Sequence, residues 1–123
     1  MNLGYWNCRG TRRRNFSTKI NYIRTKNHLQ LLCLAETKQN KGPSVTTIKK
    51  MGFHKAIWSA SAGSKGGLWL LLRSGPWLTN LAIIKISPHF IIVQTVLHEV
   101  EVLLICVYIP SRDQFKDDCW NII

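Results

Sequence analysis

The chain has 123 residues, 46% of them hydrophobic and five of them tryptophan, which is enough for one buried core and too little for two domains. This composition excludes a disordered tail, and the longest apolar runs, residues 68–72 and 102–109, are far shorter than the ~20 residues that span a membrane. The formal net charge is +11, and residues 1–98 hold 15 lysines and arginines against one carboxylate. We therefore expect a polyanionic partner. Nucleic acid is the first candidate because neutralised phosphates release counterions, and an anionic membrane surface is the alternative.

The four cysteines, Cys8, Cys33, Cys106 and Cys119, form no CxxC pair and have no histidine at metal-ligand spacing. Cys33 and Cys106 lie inside apolar runs, where a thiol behaves as a small hydrophobic group. We therefore expect reduced, structural thiols, no zinc site and an intracellular protein.

The first third of the chain predicts a strand, a helix and a second strand. Residues 3–7 are rich in aromatics, and residues 16–26 carry apolar side chains on one helical stripe. Residues 31–35 are apolar without alternation, which is typical of a strand covered on both faces. A strand, helix, strand unit has parallel strands and a right-handed crossover.

Polar side chains follow both of these strands. Asn7 ends the first and Glu36 follows the second, so parallel strands would bring them to one edge of the sheet, the usual ligand position in an open α/β fold. Glu36 is the only carboxylate before residue 99, and it could bind a cation or a proton. Two alternatives stay open: Glu36 could be an ordinary salt-bridge partner, and Asn7 could cap the turn at Gly10.

The remainder predicts mostly strands. The expected elements are a short helix over 45–51 capped by Ser44, strands over 53–58, 68–72, 77–86, 89–97 and 100–109, a small-residue loop over 59–65, and the start of a helix within 112–123. We expect Trp58, Trp69 and Trp77 to be buried, with stacking on bases as the alternative. The four histidines are expected to be solvated or part of the core.

Several segments, in order, carry a resemblance to a known family. They are WNCRG at 6–10, LAETK at 34–38, Gly-Phe at 52–53, GGLWLLL at 66–72, CVYIP at 106–110, and Trp120. Together they resemble the endonuclease/exonuclease/phosphatase superfamily, and most nearly the endonuclease domain that begins the open reading frame of plant LINE-type retrotransposons.

This resemblance implies a phosphodiesterase that depends on Mg²⁺ or Mn²⁺, acts on DNA, needs no small-molecule cofactor or membrane, and has a four-layered α/β sandwich fold. It implies that Glu36 holds the metal with Lys38 beside it. Asn7 would set the hydrogen bonds of the active site, and Tyr108 would lie next to the scissile phosphate. The basic residues expected to grip the DNA backbone are Arg9, Arg12, Arg13 and Arg14. The family and the positive charge together favour the nucleus.

Two family segments are missing from these 123 residues. The family's Asp-x-Asn pair positions the nucleophile, and its Ser-Asp-His segment supplies general acid/base chemistry. We therefore expect residues 1–123 to be a single, C-terminally truncated domain that is inactive alone. We also expect it to lack the second sheet, leaving residues 68–72 and 91–96 exposed for association. The alternative function is a basic nucleic-acid-binding module without chemistry.

Overall fold

Two β-sheets and two helices account for most of the computed structural model, which describes residues 2–63 and 65–108. The elements are β1 (Asn2–Asn7), α1 (Phe16–Asn27), β2 (Leu29–Ala35), α2 (Val45–Lys50), β3 (Lys55–Ala62), β4 (Lys65–Leu72), β5 (Leu78–Ile86), β6 (Phe90–Leu97) and β7 (Val100–Val107). Within these residues, neither helix has the length and apolar character to cross a bilayer. The expected helix within 112–123 lies outside the described residues.

The first sheet has the strand order β1-β2-β4-β3. β1 and β2 are parallel, as the opening strand, helix, strand pattern predicts, whereas β4 is antiparallel to both β2 and β3. β2 is buried on both faces: Leu31 and Cys33 belong to the core on one side, and Leu32 and Leu34 to the core beneath the helices. The absence of polar alternation in this strand is thereby explained, and the predicted α/β class is confirmed.

The second sheet has the order β5-β6-β7 and is antiparallel throughout. It covers the first sheet through a shared core that includes Leu70, Leu72, Ile91 and Val93. The expectation that this sheet is missing, leaving an exposed apolar face at residues 68–72 and 91–96, is therefore wrong. The apolar strands after residue 77 pair with one another and supply the layer that those residues need.

The second sheet also carries apolar side chains that remain exposed. Leu103 and Ile105 of β7 are 58% and 45% exposed, and Ile84 of β5 is 54% exposed. In the register of the sheet, Leu103 lies opposite Gln94 and Ile105 opposite Ile92. The described residues thus form three layers, namely helices, first sheet and second sheet.

The small-residue segment is not a loop. Ser59 and Ser61 continue β3, where they pair with Leu68 and Gly66 of β4. Weak strand propensity is overridden here by a hydrogen-bonding partner that lies close in the chain. The predicted cap of α2 is confirmed, because the Ser44 hydroxyl accepts a hydrogen bond from the backbone N–H of Thr47 at 3.1 Å.

A disulfide joins Cys33 and Cys106, so the expectation of reduced thiols is wrong for this pair. Cys33 lies on β2 and Cys106 on β7, and both face the core between the sheets with their Cα atoms 6.2 Å apart. They are 73 residues apart in the chain, and the sequence gives no local sign of this pairing. Cys8 is a free, buried thiol.

We predict that the double variant Cys33→Ala/Cys106→Ala is less stable to urea than the oxidised protein, because the disulfide closes a loop of 73 residues. The expected loss is about 4 kcal/mol from the entropy of the unfolded chain. Non-reducing peptide mapping should recover Cys33 and Cys106 in one linked fragment. The disulfide is refuted if these cysteines are alkylated without reductant under denaturing conditions.

Candidate active site at the ends of two parallel strands

Asn7 and Glu36 lie next to each other at one edge of the first sheet. Asn7 is the last residue of β1 and lies opposite Ala35, the last residue of β2, with Glu36 following directly. Asn7 is exposed and Glu36 is half-buried. The neighbourhood inferred from the two strand ends is therefore present in the structure.

Backbone hydrogen bonds extend this pairing past the ends of the strands. The bonds run from Cys8 N–H to the Ala35 carbonyl (2.9 Å), Gly10 N–H to Glu36 (2.7 Å), Thr37 N–H to Gly67 (3.2 Å) and Lys38 N–H to Gly66 (2.9 Å). The segment 36–38 is thus held on one side by the loop after β1 and on the other by the start of β4. The backbone of this segment therefore has little freedom to move away from the edge.

The backbone of this segment is strained. Glu36 and Lys38 both have φ of 58°, and Arg9 has φ of 55°. Residues other than glycine adopt the left-handed region at a cost, and such residues collect at functional sites where the surrounding structure enforces them. Here the enforcing contacts are the hydrogen bonds on both sides of residues 36–38.

Gly67 permits the close approach of β4 to this segment. Its φ is 91°, and a Cβ atom at this position would overlap the Thr37 hydroxyl and lie 3.4 Å from the Lys38 nitrogen. Thr37 is fully buried, so it has no room to yield. The second glycine of GGLWLLL, Gly67, is therefore required for steric reasons that cannot be read from the sequence alone.

Tyr108 reaches the same edge from the second sheet. Its ring lies beside Gly66, since a Cβ atom there would be 3.8 Å from Tyr108 Cε2, and its backbone N–H donates to the His89 carbonyl at 2.8 Å. The ring is half-buried and packs on the core between the sheets. Burial raises the pKa of Tyr108, and the negative charge of Glu36 raises it further.

Tyr5 is a member of this group that the sequence analysis did not single out. It lies on β1 two residues before Asn7 and is 56% exposed. Partial burial raises its pKa, and the charges of Tyr108, Cys8 and Glu36 add to this effect in that order. The alternation of β1, which puts Tyr5 and Asn7 on the same side of the strand, was the available signal. We call Tyr5, Asn7, Glu36 and Tyr108 the strand-end site.

Basic side chains border this site. Arg9, Arg12, Arg13 and Lys38 line one cleft of about 550 Å³, together with Gly10, Thr11, Thr37, Gln39 and Gly63. Arg14 is exposed and does not line this cleft. Four of the five cations named from the sequence are thus brought together, and we call their cavity the basic cleft.

Glu36 has no ion pair among residues 2–63 and 65–108, since no basic nitrogen there comes within 4.0 Å of its carboxylate. The salt-bridge alternative finds no support in that range. The same residues contain no group of three or more His, Cys, Asp or Glu side chains that could hold a metal ion. The oxygen donors at the edge are one carboxylate and one amide. They suit a hard cation that keeps most of its water, and they do not form a closed cage.

The tryptophans divide between burial and exposure. Trp69 is 5% exposed and its indole N–H donates to the Lys41 carbonyl at 3.3 Å. Trp58 is 42% exposed, so the expectation of burial is wrong there: it lies on β3, the edge strand of its sheet, which lacks a neighbour on one side.

Of the histidines, His54 accepts a hydrogen bond from the Ser74 N–H at 2.8 Å, and His89 has a buried Nδ1 without a partner in the described residues.

Comparison with solved structures gives the fold a counterpart. The chain is similar to an AP endonuclease from Archaeoglobus fulgidus, with a TM-score of 0.56 and 15% sequence identity over 88% of this chain. The match covers 40% of the archaeal chain, so this chain spans about two fifths of the length of that structure. No family model matches the sequence, and no curated protein matches it. The likeness shows a partial α/β sandwich fold of the kind found in that endonuclease.

We predict that Gly67→Ala destabilises the protein by about 2–4 kcal/mol, because it combines a left-handed alanine with an overlap against buried Thr37. Gly63→Ala is the matched control, since Gly63 has φ of 63° but nothing within 4 Å of the added carbon. It should lose only about 1 kcal/mol. Urea unfolding measures both, and equal losses would show that Gly67 has no special steric role.

Proposed function

We propose that the chain is the N-terminal part of a Mg²⁺- or Mn²⁺-dependent DNA endonuclease of the LINE retrotransposon lineage, working in the nucleus. We also propose that residues 1–123 form a single truncated domain. The observation that carries it is the convergence of Asn7, Glu36 and Tyr108 at one edge of a fold shared with an AP endonuclease. Neither the metal nor the lineage follows from fold likeness alone, and both come from the sequence motifs.

In this proposal Glu36 is the protein's metal ligand, and the Asn7 amide and Lys38 stand beside it. The bound cation would neutralise charge that builds up on the phosphate during attack. Glu36 suits this role because its backbone is fixed on both sides and because it has no competing ion pair in the described residues. A hard cation with one carboxylate ligand retains positions for phosphate oxygens and water.

Tyr108 acts in the proposal as a donor to the scissile phosphate. The pKa of Tyr108 is raised above its ordinary value by burial and by Glu36, so the phenol keeps its proton at neutral pH. A protonated phenol can donate a hydrogen bond to a phosphate oxygen. Arg9, Arg12 and Arg13, which border the basic cleft, would neutralise the flanking phosphates, and Arg14 would do so from outside the cleft.

The chain lacks groups for the remaining steps. No Asp-x-Asn or Ser-Asp-His segment occurs in residues 1–123, so nothing in the sequence orients or deprotonates the attacking water as those segments do in the family. A second candidate function is a basic nucleic-acid-binding module without chemistry, which the cations that line the basic cleft support equally well. The two candidates differ in whether Glu36 binds a cation.

We predict that Mg²⁺ or Mn²⁺ binds weakly and that Glu36→Gln abolishes this binding, because the substitution removes the carboxylate and keeps the shape. Glu99→Gln, in the turn before β7, is the control for loss of a negative charge elsewhere and should bind as the unmodified protein does. Titration calorimetry measures the three proteins. An unchanged metal response in Glu36→Gln would favour the binding module.

We predict negligible Mg²⁺-dependent nicking of supercoiled DNA by the purified chain, because general acid/base groups of this kind contribute about 10²–10⁴-fold each. Gel electrophoresis of a relaxed-circle product measures the rate. Glu36→Gln serves as the background control. Robust nicking that Glu36→Gln removes would show that the missing segments are dispensable and would overturn the proposed inactivity.

A further inference from the structure

A second cavity adjoins the basic cleft on the helical side of the first sheet. It has a volume of about 500 Å³ and lies between the start of α1 and the start of α2. Three cationic residues line it, Arg13, Lys41 and Lys50, and Trp69 also contributes to its wall. Its other lining residues are mostly small or hydroxyl-bearing, among them Ser17, Thr18, Ser44 and Thr47. We call this cavity the α1–α2 groove.

The described part of the chain brings no negative charge to the groove. Among residues 2–63 and 65–108, no carboxylate lines the groove or the basic cleft. The described residues contain three acids, and Glu36 belongs to the strand-end site. Glu99 and Glu101 lie at the start of the eight-residue strand β7 whereas Tyr108 follows its end, so both acids lie roughly 20–25 Å from that end of the sheet. Cations grouped without acids repel one another, and an anion bound among them relieves that repulsion.

The groove and the basic cleft lie side by side. Thr11, Arg13 and Gln39 line both cavities, and the Gln39 side-chain amide donates to the Thr11 hydroxyl at 3.0 Å. This hydrogen bond ties the loop after β1 to the loop after β2. Thr11, Arg13 and Gln39 therefore form a wall shared by the two cavities, and Arg13 gives this wall a positive charge.

The groove is also well ordered at its base. The indole N–H of buried Trp69 donates to the Lys41 carbonyl, which fixes the backbone that carries the Lys41 side chain. Lys50 projects from the last turn of α2, whose N-terminus is capped by Ser44. The backbone that carries Lys41 and Lys50 is thus held in place by hydrogen bonds.

We propose that the α1–α2 groove is a second contact site for the phosphodiester backbone of duplex DNA, with Lys41 and Lys50 as its phosphate-binding residues. A DNA backbone that lies in the basic cleft continues past Thr11 and Gln39 into the groove. This inference rests on the proposed DNA-binding function and adds to it the direction in which the bound strand extends. It predicts contacts to phosphate that do not depend on base sequence.

The test is the salt dependence of duplex DNA binding by fluorescence anisotropy. Loss of two phosphate contacts should reduce the slope of log affinity against log salt by about 2, which is roughly 10- to 100-fold weaker binding at ~0.1 M salt. The test variant is Lys41→Gln/Lys50→Gln. The control is Lys26→Gln/Lys85→Gln, which removes the same charge at the end of α1 and on β5 and should leave the slope nearly unchanged.

Metal titration of the same variants separates the two proposals. Lys41→Gln/Lys50→Gln with a reduced slope and an unchanged Mg²⁺ or Mn²⁺ response supports the groove. An equal reduction in both double variants means that net charge alone matters, and it overturns the groove as a site. An unchanged slope of log affinity against log salt in Lys41→Gln/Lys50→Gln also overturns the groove as a site. If the unmodified protein binds no DNA, the proposed function fails together with the groove.

Discussion

The parallel pairing of β1 with β2 is the constraint on which the rest of the structure depends. β2 is buried on both faces, between the helices and the second sheet, so a shift of one residue would exchange its two sets of side chains between different cores. Its register is therefore fixed, and with it the point at which Glu36 leaves the sheet. Because β1 lies beside β2 in one register, Asn7 must emerge next to that carboxylate.

The sheet edge combines two kinds of charge that ordinarily neutralise each other. One carboxylate stands among several cations, yet no basic group in the described residues pairs with it. The rigid backbone explains part of this separation, since hydrogen bonds to the loop after β1 and to β4 hold Glu36 in place. An edge of this kind can accept a cation at the carboxylate and a polyanion at the surrounding arginines and lysines. The proposed metal-dependent phosphodiesterase would use both.

The local pattern of the sequence predicts those parts of the fold that depend on short-range signals. The buried β2 follows from its unbroken apolar run, and the cap of α2 follows from Ser44. The strand-end position of Glu36 follows from the abrupt change from apolar to charged residues. These features need only the periodicity and chemistry of neighbouring residues.

The features that were missed depend on pairing or packing between segments, or on exact steric fit. The three strands of the second sheet follow from local patterns, but its docking on the first sheet and the Cys33–Cys106 disulfide arise from packing across the core, which no local pattern records. The extension of β3 through Ser59 and Ser61 depends on its partner strand. Lys41 and Lys50 are nine residues apart in unremarkable polar segments, and only the packing of the helices against the sheet brings them into one groove.

The left-handed backbone at position 36 has a consequence for how the chain would change if it were selected for folding alone. Glycine or asparagine accepts that conformation with less strain than glutamate, a difference of about 1 kcal/mol. Selection for folding alone would therefore favour replacing this glutamate, so the fold itself gains nothing from an acid at this position.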